Sequence, residues 1–388
     1  MTAGGWRRRL AISTLAAPVL RTAVGERLSA RTERRLNRVA DPGPYAVPAA
    51  AADLHERLTI VDLHADSLLW GRDLLRRADC GHLDVPRMVE GRLALQVFAV
   101  ATQVPRHLNY ERNDDRSDDV RLVSLVQGWP LATWRSRTAR AEHLAWRLRE
   151  TAARSEGHLT LVRSAADLGR FLARRTADPT VVAGMLAIEG AHALDGDLAN
   201  LDRLVAAGYR IVGLAHFFDN AFAGSAHGIA RGGLTGLGRE LVAELERRRI
   251  LVDLAHASPA TIDDVLAIAT RPVIASHTGV RGVGDHDRNL NDEHLRGIAA
   301  TGGVVGIGFW PTACGGDTVD WIARSIAHAV AIAGPEHVAL GSDFDGAVPV
   351  PFDASGMGLV TAALLAHGLD EATIAAVMGG SAVRVLDE

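Results

Sequence analysis

The sequence predicts an α/β fold, a parallel (β/α)8 TIM barrel with inserted helices and an N-terminal helical extension. Three observations carry that expectation. Eight short apolar runs rich in β-branched residues recur from Leu58 onward, and none shows polar alternation. Such runs mark strands buried on both faces of a parallel sheet. Helical patterns separate them, and eight β/α repeats in one chain close into a barrel. The chain has 388 residues, room for one large barrel with additions. The other doubly wound solution, an open sheet, would carry G-x-G-x-x-G after its first strand, and that fingerprint is missing.

Taken in order, residues 1–50 are a basic extension and linker. "WRRRLAISTLAAPVLRTAVGERLSARTERRLNR" is arginine-rich and acid-poor, with an apolar run over 10–20, and "DPGPYAVPAAAA" follows as the linker. Ser, Thr and Pro interrupt the apolar run and more arginines follow it, so an amphipathic helical extension is the favoured reading over an export signal. A cytoplasmic location is expected, with export the alternative. No run reaches the roughly 18 apolar residues of a membrane span.

Residues 51–388 form the barrel. Its expected strands are TIVDLH (59–64), LALQVFAV (93–100), VVAGMLAIE (181–189), YRIVGLAH (209–216), ILVDLAH (250–256), PVIASH (272–277), GGVVGIGF (302–309) and HVALGSD (337–343). Helices are expected over 236–249, over 258–270 with Ser258 as N-cap and Pro259 in the first turn, and over 292–302 with Asp292 as N-cap. The segment 105–180 is too long for one crossover and reads as inserted helices that form an outer wall of the site or a subunit contact. "ASGMGLVTAALLAHGLDEATIAAVMGGSAVRVL" reads as two closing helices.

Hydrophobic residues make up 48% and charged residues 23% of a chain with net charge −4. That acidic balance excludes nucleic acid as the main partner and favours a small molecule. The two cysteines, Cys80 and Cys314, are far apart in sequence, so neither a disulfide framework nor a thiolate zinc site is present.

The expected strand ends carry His64 and Asp66, Glu189, His216, His256, His277 and Asp343. A lone histidine there is commonly a hydrogen-bonded cap, and a lone carboxylate commonly a helix N-cap. A barrel brings all of them to one mouth, where uncompensated acids and imidazoles would be unfavourable without a cation. Histidines and carboxylates without cysteine suit Zn²⁺ or a similar divalent ion. The donors exceed what one tetrahedral site with an open position uses, and two metals sharing a carboxylate would clamp a water for hydrolysis.

In "VDLHAD", "AIEGAH", "GLAHFFDN", "VDLAHAS", "VIASHT", "HDRNL" and "GSDFDG" the chain resembles the membrane (renal-type) dipeptidase family of zinc metallopeptidases, from about residue 58 to the C-terminus. The resemblance implies two Zn²⁺ per chain, one held by His64 and Asp66 and one by His256 and His277, with Glu189 bridging. It implies that His216 polarises the scissile carbonyl and Arg288 holds the substrate's C-terminal carboxylate. Asp343 would pass a proton from water to the leaving amine, with Asp345 as its neighbouring rival in a loop-capping role. A dipeptide substrate, including one with a C-terminal D-residue, and a homodimer are further implications.

Other polar residues carry less. His192 reads as a partner of the site and not a ligand, and His82, His107, His227 and His286 read as solvated loop residues. Arg231 and Arg281 compete for the carboxylate role. Phe309-Trp310 stands where a tyrosine could have assisted Arg288. A lactonase, β-lactam hydrolase or deaminase on the same barrel, or a non-catalytic metal-binding barrel, are the alternatives.

Overall fold

The computed structural model describes Gly25 and residues 29–388. The apolar run over 10–20 therefore lies outside the described residues. Nine strands form one sheet: β1 (Ile60–Ala65), β2 (Leu93–Ala101), β3 (Leu159–Leu161), β4 (Val182–Glu189), β5 (Tyr209–Gly213), β6 (Leu251–Asp253), β7 (Ile274–Thr278), β8 (Val304–Ile307) and β9 (Val338–Leu340). Their order is β2-β1-β9-β8-β7-β6-β5-β4-β3, and an added pairing of β2 with β4 closes eight of them into a parallel ring. The expected barrel is present, built from the eight expected apolar runs.

The ninth strand, β3, was not expected. It pairs with the first residues of β4, from Leu159 opposite Val182 to Leu161 opposite Gly184. Three residues show no periodicity, so only the tertiary pairing makes them a strand. Three barrel strands end short of the polar residue assigned to them. β5 stops at Gly213, β6 at Asp253 and β9 at Leu340, each three residues before the polar residue assigned to its end. His256 and Asp343 take left-handed backbone, with φ of 61° and 62°. That conformation is uncommon for non-glycine residues and lifts both out of the ladder.

The helices follow their caps. Gly236–Arg247 is capped by Thr235, and Pro259–Ile268 by Ser258, which accepts from the Thr261 amide. Asp292–Ala300 is capped by Asn291 and not by Asp292, which becomes the first helical residue, where its charge still suits the helix N-terminus. The insertion supplies Asp119–Val126, Arg137–Arg154 and Ala165–Ala177. Ala141, Leu144, Ala145 and Leu148 form the buried stripe of the second of these, and the Tyr209 hydroxyl donates to the Ala141 carbonyl at 2.8 Å.

Of the two closing helices, Gly358–Ala366 is regular, while the second is broken. Glu371–Ala375 passes through a wide turn at Ala376–Gly380 into Ser381–Leu386. Its Ala382, Val385 and Leu386 pack with Val61, Leu63 and Ala339 of the barrel. No helix among the described residues is long and apolar enough to cross a membrane.

Candidate metal centre

β1, β4 and β7 deliver His64, Glu189 and His277 directly, and Asp66 follows β1 as the cap of a short 3-10 turn. His216, His256 and Asp343 reach the same point from the loops after β5, β6 and β9. The result is a convergence on one oxygen. Glu189 Oε1 lies 3.1 Å from His256 Nε2, 3.4 Å from His216 Nε2, and 3.6 Å from the Nε2 atoms of both His64 and His277. His64 Nε2 is also 3.4 Å from Asp66 and 3.9 Å from Asp343. All seven predicted residues are buried and belong to overlapping groups that could hold a metal ion.

Protons alone serve this cluster poorly. Burial, reinforced by Asp66, pushes Glu189 well above the ordinary carboxylate range. Burial likewise pushes Asp343 up to about 8. His64 goes the other way from its own burial, because Glu189 and Asp66 carry it up to about 10. Burial, with the Arg288 charge and neighbouring imidazoles adding to it, holds His256 and His277 well below the ordinary range. His64 Nε2 is buried with no hydrogen-bond partner, and His256 Nε2 faces His277 Nε2 at 2.9 Å. Divalent cations fit these donors, since they turn facing lone pairs and crowded carboxylates into ligands.

A layer beneath the cluster sets its tautomers. Ser276 Oγ donates to Asp253 Oδ2 at 2.6 Å, so its lone pairs are left for His277 Nδ1 at 3.0 Å and His64 Nδ1 at 3.4 Å. With the imidazole protons on Nδ1, both rings present Nε2 lone pairs to the site. On the other side, Asp62 accepts from the Ser342 amide at 2.7 Å and hydroxyl at 2.6 Å, fixing the turn that carries Asp343. Asp62 and Asp253 are not among the candidate site residues of the sequence analysis. The repeated triplet Val-Asp-Leu at 61–63 and 252–254, a carboxylate inside each apolar run, was the available signal.

Arg288 is buried, donates to the His277 carbonyl at 2.7 Å and to Thr278 Oγ1 at 3.3 Å, and lies 5.9 Å from the Trp310 ring centroid. No carboxylate among the described residues pairs with it, and its Nε has no partner. Arg231 and Arg281 instead both pair with Asp287, at 3.5 and 3.0 Å. Asp345 is a structural hub: it accepts from Ser67 Oγ at 2.5 Å and the His82 amide at 2.6 Å, and pairs with Arg72.

Two of the four histidines read as solvated are fully buried. His82 accepts from the Asp345 amide, and His227 is bonded to the Tyr110 carbonyl and stacks on Phe217. His107 is exposed, while His286 is half-buried, packs edge-on to Tyr110 and accepts from the Arg288 amide. His192 packs beside His216 and Phe218 without a hydrogen bond, so it is neighbour to the site and not an anchor for it. Tyr110, from the loop after β2, lines the same cavity as Arg288, so a tyrosine reaches the site from a segment without a sequence signal of its own.

That cavity holds about 660 Å³ over the cluster, walled by Phe217, Trp310, the Asp119–Val126 helix and the segment from residue 29. A closed parallel ring with carboxylates and imidazoles at the carboxyl ends of its strands defines a metal-binding hydrolase barrel. Within that class, the chain belongs to the membrane dipeptidase family, Peptidase family M19, which matches residues 49–388.

Among relatives, dipeptidase verJ of Clonostachys rogersoniana is 37% identical over 216 residues, 53% of this chain and 55% of that protein. The uncharacterized dipeptidase C965.12 of Schizosaccharomyces pombe is 39% identical over 174 residues, 42% of each. The chain spans about half the length of the curated relatives it matches. Among solved structures, the dipeptidase AC, a metallopeptidase of family M19, aligns with TM-score 0.68 at 29% identity, covering 85% of this chain and 98% of that one. A metallopeptidase from Rhodobacter sphaeroides, liganded with a phosphinate mimic of the dipeptide L-Ala-D-Ala, aligns with TM-score 0.67 at 29% identity, covering 85% and 99%.

Proposed function

We propose that the protein is a zinc-dependent dipeptidase that hydrolyses dipeptides, those with a C-terminal D-residue included, at a two-metal centre. The observation that carries this reading is the convergence of four imidazole Nε2 atoms within 3.6 Å of one Glu189 oxygen. His64 and Asp66 would hold one ion, His256 and His277 the other, and Glu189 both. When bound, such ions supply Lewis acidity and bring the pKa of water towards neutrality.

The chain's own groups do the rest. Arg288 holds the substrate carboxylate, for which a buried guanidinium fork without an acidic partner is suited. His216, kept neutral by burial, donates Nε2–H to the oxyanion that develops on the scissile carbonyl. Asp343 accepts a proton from the attacking water and returns it to the leaving amine. Its 3.9 Å separation from His64 Nε2, against 3.4 Å for Asp66, favours that role over ligation.

Support for a D-residue comes from the solved relative liganded with the L-Ala-D-Ala mimic. The Arg288 fork distinguishes this reading from lactonase or deaminase activity, because it favours a substrate with a free carboxylate. A homodimer is part of the same proposal, and sedimentation tests it. Hydrolysis of L-Ala-D-Ala that is abolished by chelation and restored by zinc is the expected result. Asp343→Asn is expected to retain metal and lose about 10²- to 10⁴-fold in kcat; full turnover in that variant would remove Asp343 from the mechanism.

A further inference from the structure

Residues 29–36 form a helix that precedes the family match, which begins at residue 49, yet this helix lines the catalytic cavity. Ser29, Thr32 and Leu36 share the face turned to the cavity, at the i, i+3, i+7 spacing of a helix. The helix is firmly attached. Glu33 pairs with Arg72 at 2.6 Å, and Arg72 in turn with Asp345, two residues from Asp343. The Asn37 side chain accepts from the Ala347 amide at 2.8 Å, and the Arg38 carbonyl from the Val350 amide at 2.9 Å.

Position decides which part of a substrate this wall meets. Arg288 hangs from His277 and Thr278 of β7, whereas the helix is tied to the loop after β9 and, through Gln127, to the turn after β1. Gln127 Nε2 lies 3.2 Å from Ser29 Oγ and 3.0 Å from the Leu69 carbonyl. In the ring, β8 and β9 separate β7 from β1. A dipeptide with its carboxylate on Arg288 and its peptide carbonyl over Glu189 therefore directs its amino-terminal residue towards the helix. The wall there is apolar: Leu36, Leu69, Val104, Val123, Val126 and Val348 line it. Arg35, the remaining charge on the helix's cavity side, is exposed.

Resting on the dipeptidase reading, we propose that helix 29–36 and the Asp119–Val126 helix form a specificity pocket for a large apolar amino-terminal side chain. The cavity's volume of about 660 Å³ is in the range of roughly 300–1,000 Å³ for ligands well above the size of Ala-Ala. The occupant is an aliphatic or aromatic side chain and not a charged one, since among the described residues the charges lining this side are paired, Asp119 with Arg106 and Asp345 with Arg72, or exposed, as Arg35 is.

The test is a panel on the zinc-loaded full chain: Gly-D-Ala, L-Ala-D-Ala, L-Leu-D-Ala, L-Phe-D-Ala and L-Glu-D-Ala, each also with L-Ala at the second position. The expected kcat/KM for the Leu and Phe substrates exceeds that for Gly by at least tenfold, with Glu lowest. Leu36→Trp, which fills the pocket from the extension, is expected to reduce the Phe-to-Gly ratio about tenfold. Val123→Trp does the same from the opposite wall should the first variant fold poorly. An active enzyme with a flat panel, or with a ratio unmoved in both variants, overturns the pocket and leaves the dipeptidase reading standing. No cleavage of any substrate at full zinc loading overturns both.

Discussion

Ser276 has one hydroxyl proton, and Asp253 accepts it, so the imidazoles of His277 and His64 must donate from Nδ1. Asp253→Asn removes that direction from the network. The expected result is a 10- to 100-fold weaker zinc affinity, read by competition with a chromogenic chelator, in a protein that stays folded. Arg288→Met should lower kcat/KM for dipeptides about 100-fold, equivalent to ~3 kcal/mol, while dipeptide amides, which lack the carboxylate, change far less. At Glu33, burial outweighs the pull of Arg72, which also serves Asp345, and the carboxyl is pushed up to about 7. The folded chain therefore binds this proton more tightly than the unfolded chain, whose value is near 4.5. This group's contribution to stability is full below pH 4.5 and is lost as pH rises through about 7. Glu33→Gln should make the urea midpoint fall less than the parent's between about pH 5 and pH 8; an unchanged slope would contradict the assignment.

At the scale of elements, the strands were legible in the sequence because a doubly buried parallel strand is a continuous apolar run, and all eight barrel strands have one. Their ends were less legible. His216, His256 and Asp343 read as strand termini, but each sits three residues beyond its strand, and the left-handed turns that carry His256 and Asp343 leave no hydrophobic signal. β3 and the burial of His82 and His227 depend on contacts far apart in sequence, such as the Asp345 amide bonded to His82, and no local pattern announces those. The closing helix breaks at Gly379, whose backbone leaves helical geometry with φ 174°. A Cβ there would lie 2.0 Å from the Thr59 carbonyl oxygen, just before β1. Gly379→Ala is expected to cost about 1–3 kcal/mol by overpacking, read as a lowered urea midpoint with an unchanged m-value. A midpoint equal to the parent's would show that the helix can move away from β1.

For the whole molecule, the ring brings seven residues from six strand ends into one cluster, four of their imidazoles around a single Glu189 oxygen, which is why no single motif announces the site and their joint order does. The clustered set of imidazoles and carboxylates was legible because such groups at the ends of apolar runs need an explanation. The supporting layer was not, because Asp62 and Asp253 look like isolated defects until the strands are side by side. Nor was the cavity wall from residues 29–36, whose link to Asp345 runs through Arg72 and joins residues far apart in sequence. The central claim is that Glu189 joins two zinc sites into one dipeptidase centre. Stepwise zinc addition to the metal-free protein, with L-Ala-D-Ala hydrolysis measured at each step, tests it most directly. Activity is expected to climb until two equivalents are bound and to be absent from Glu189→Gln at every loading; full activity at one equivalent or less, or an active Glu189→Gln protein, would contradict it.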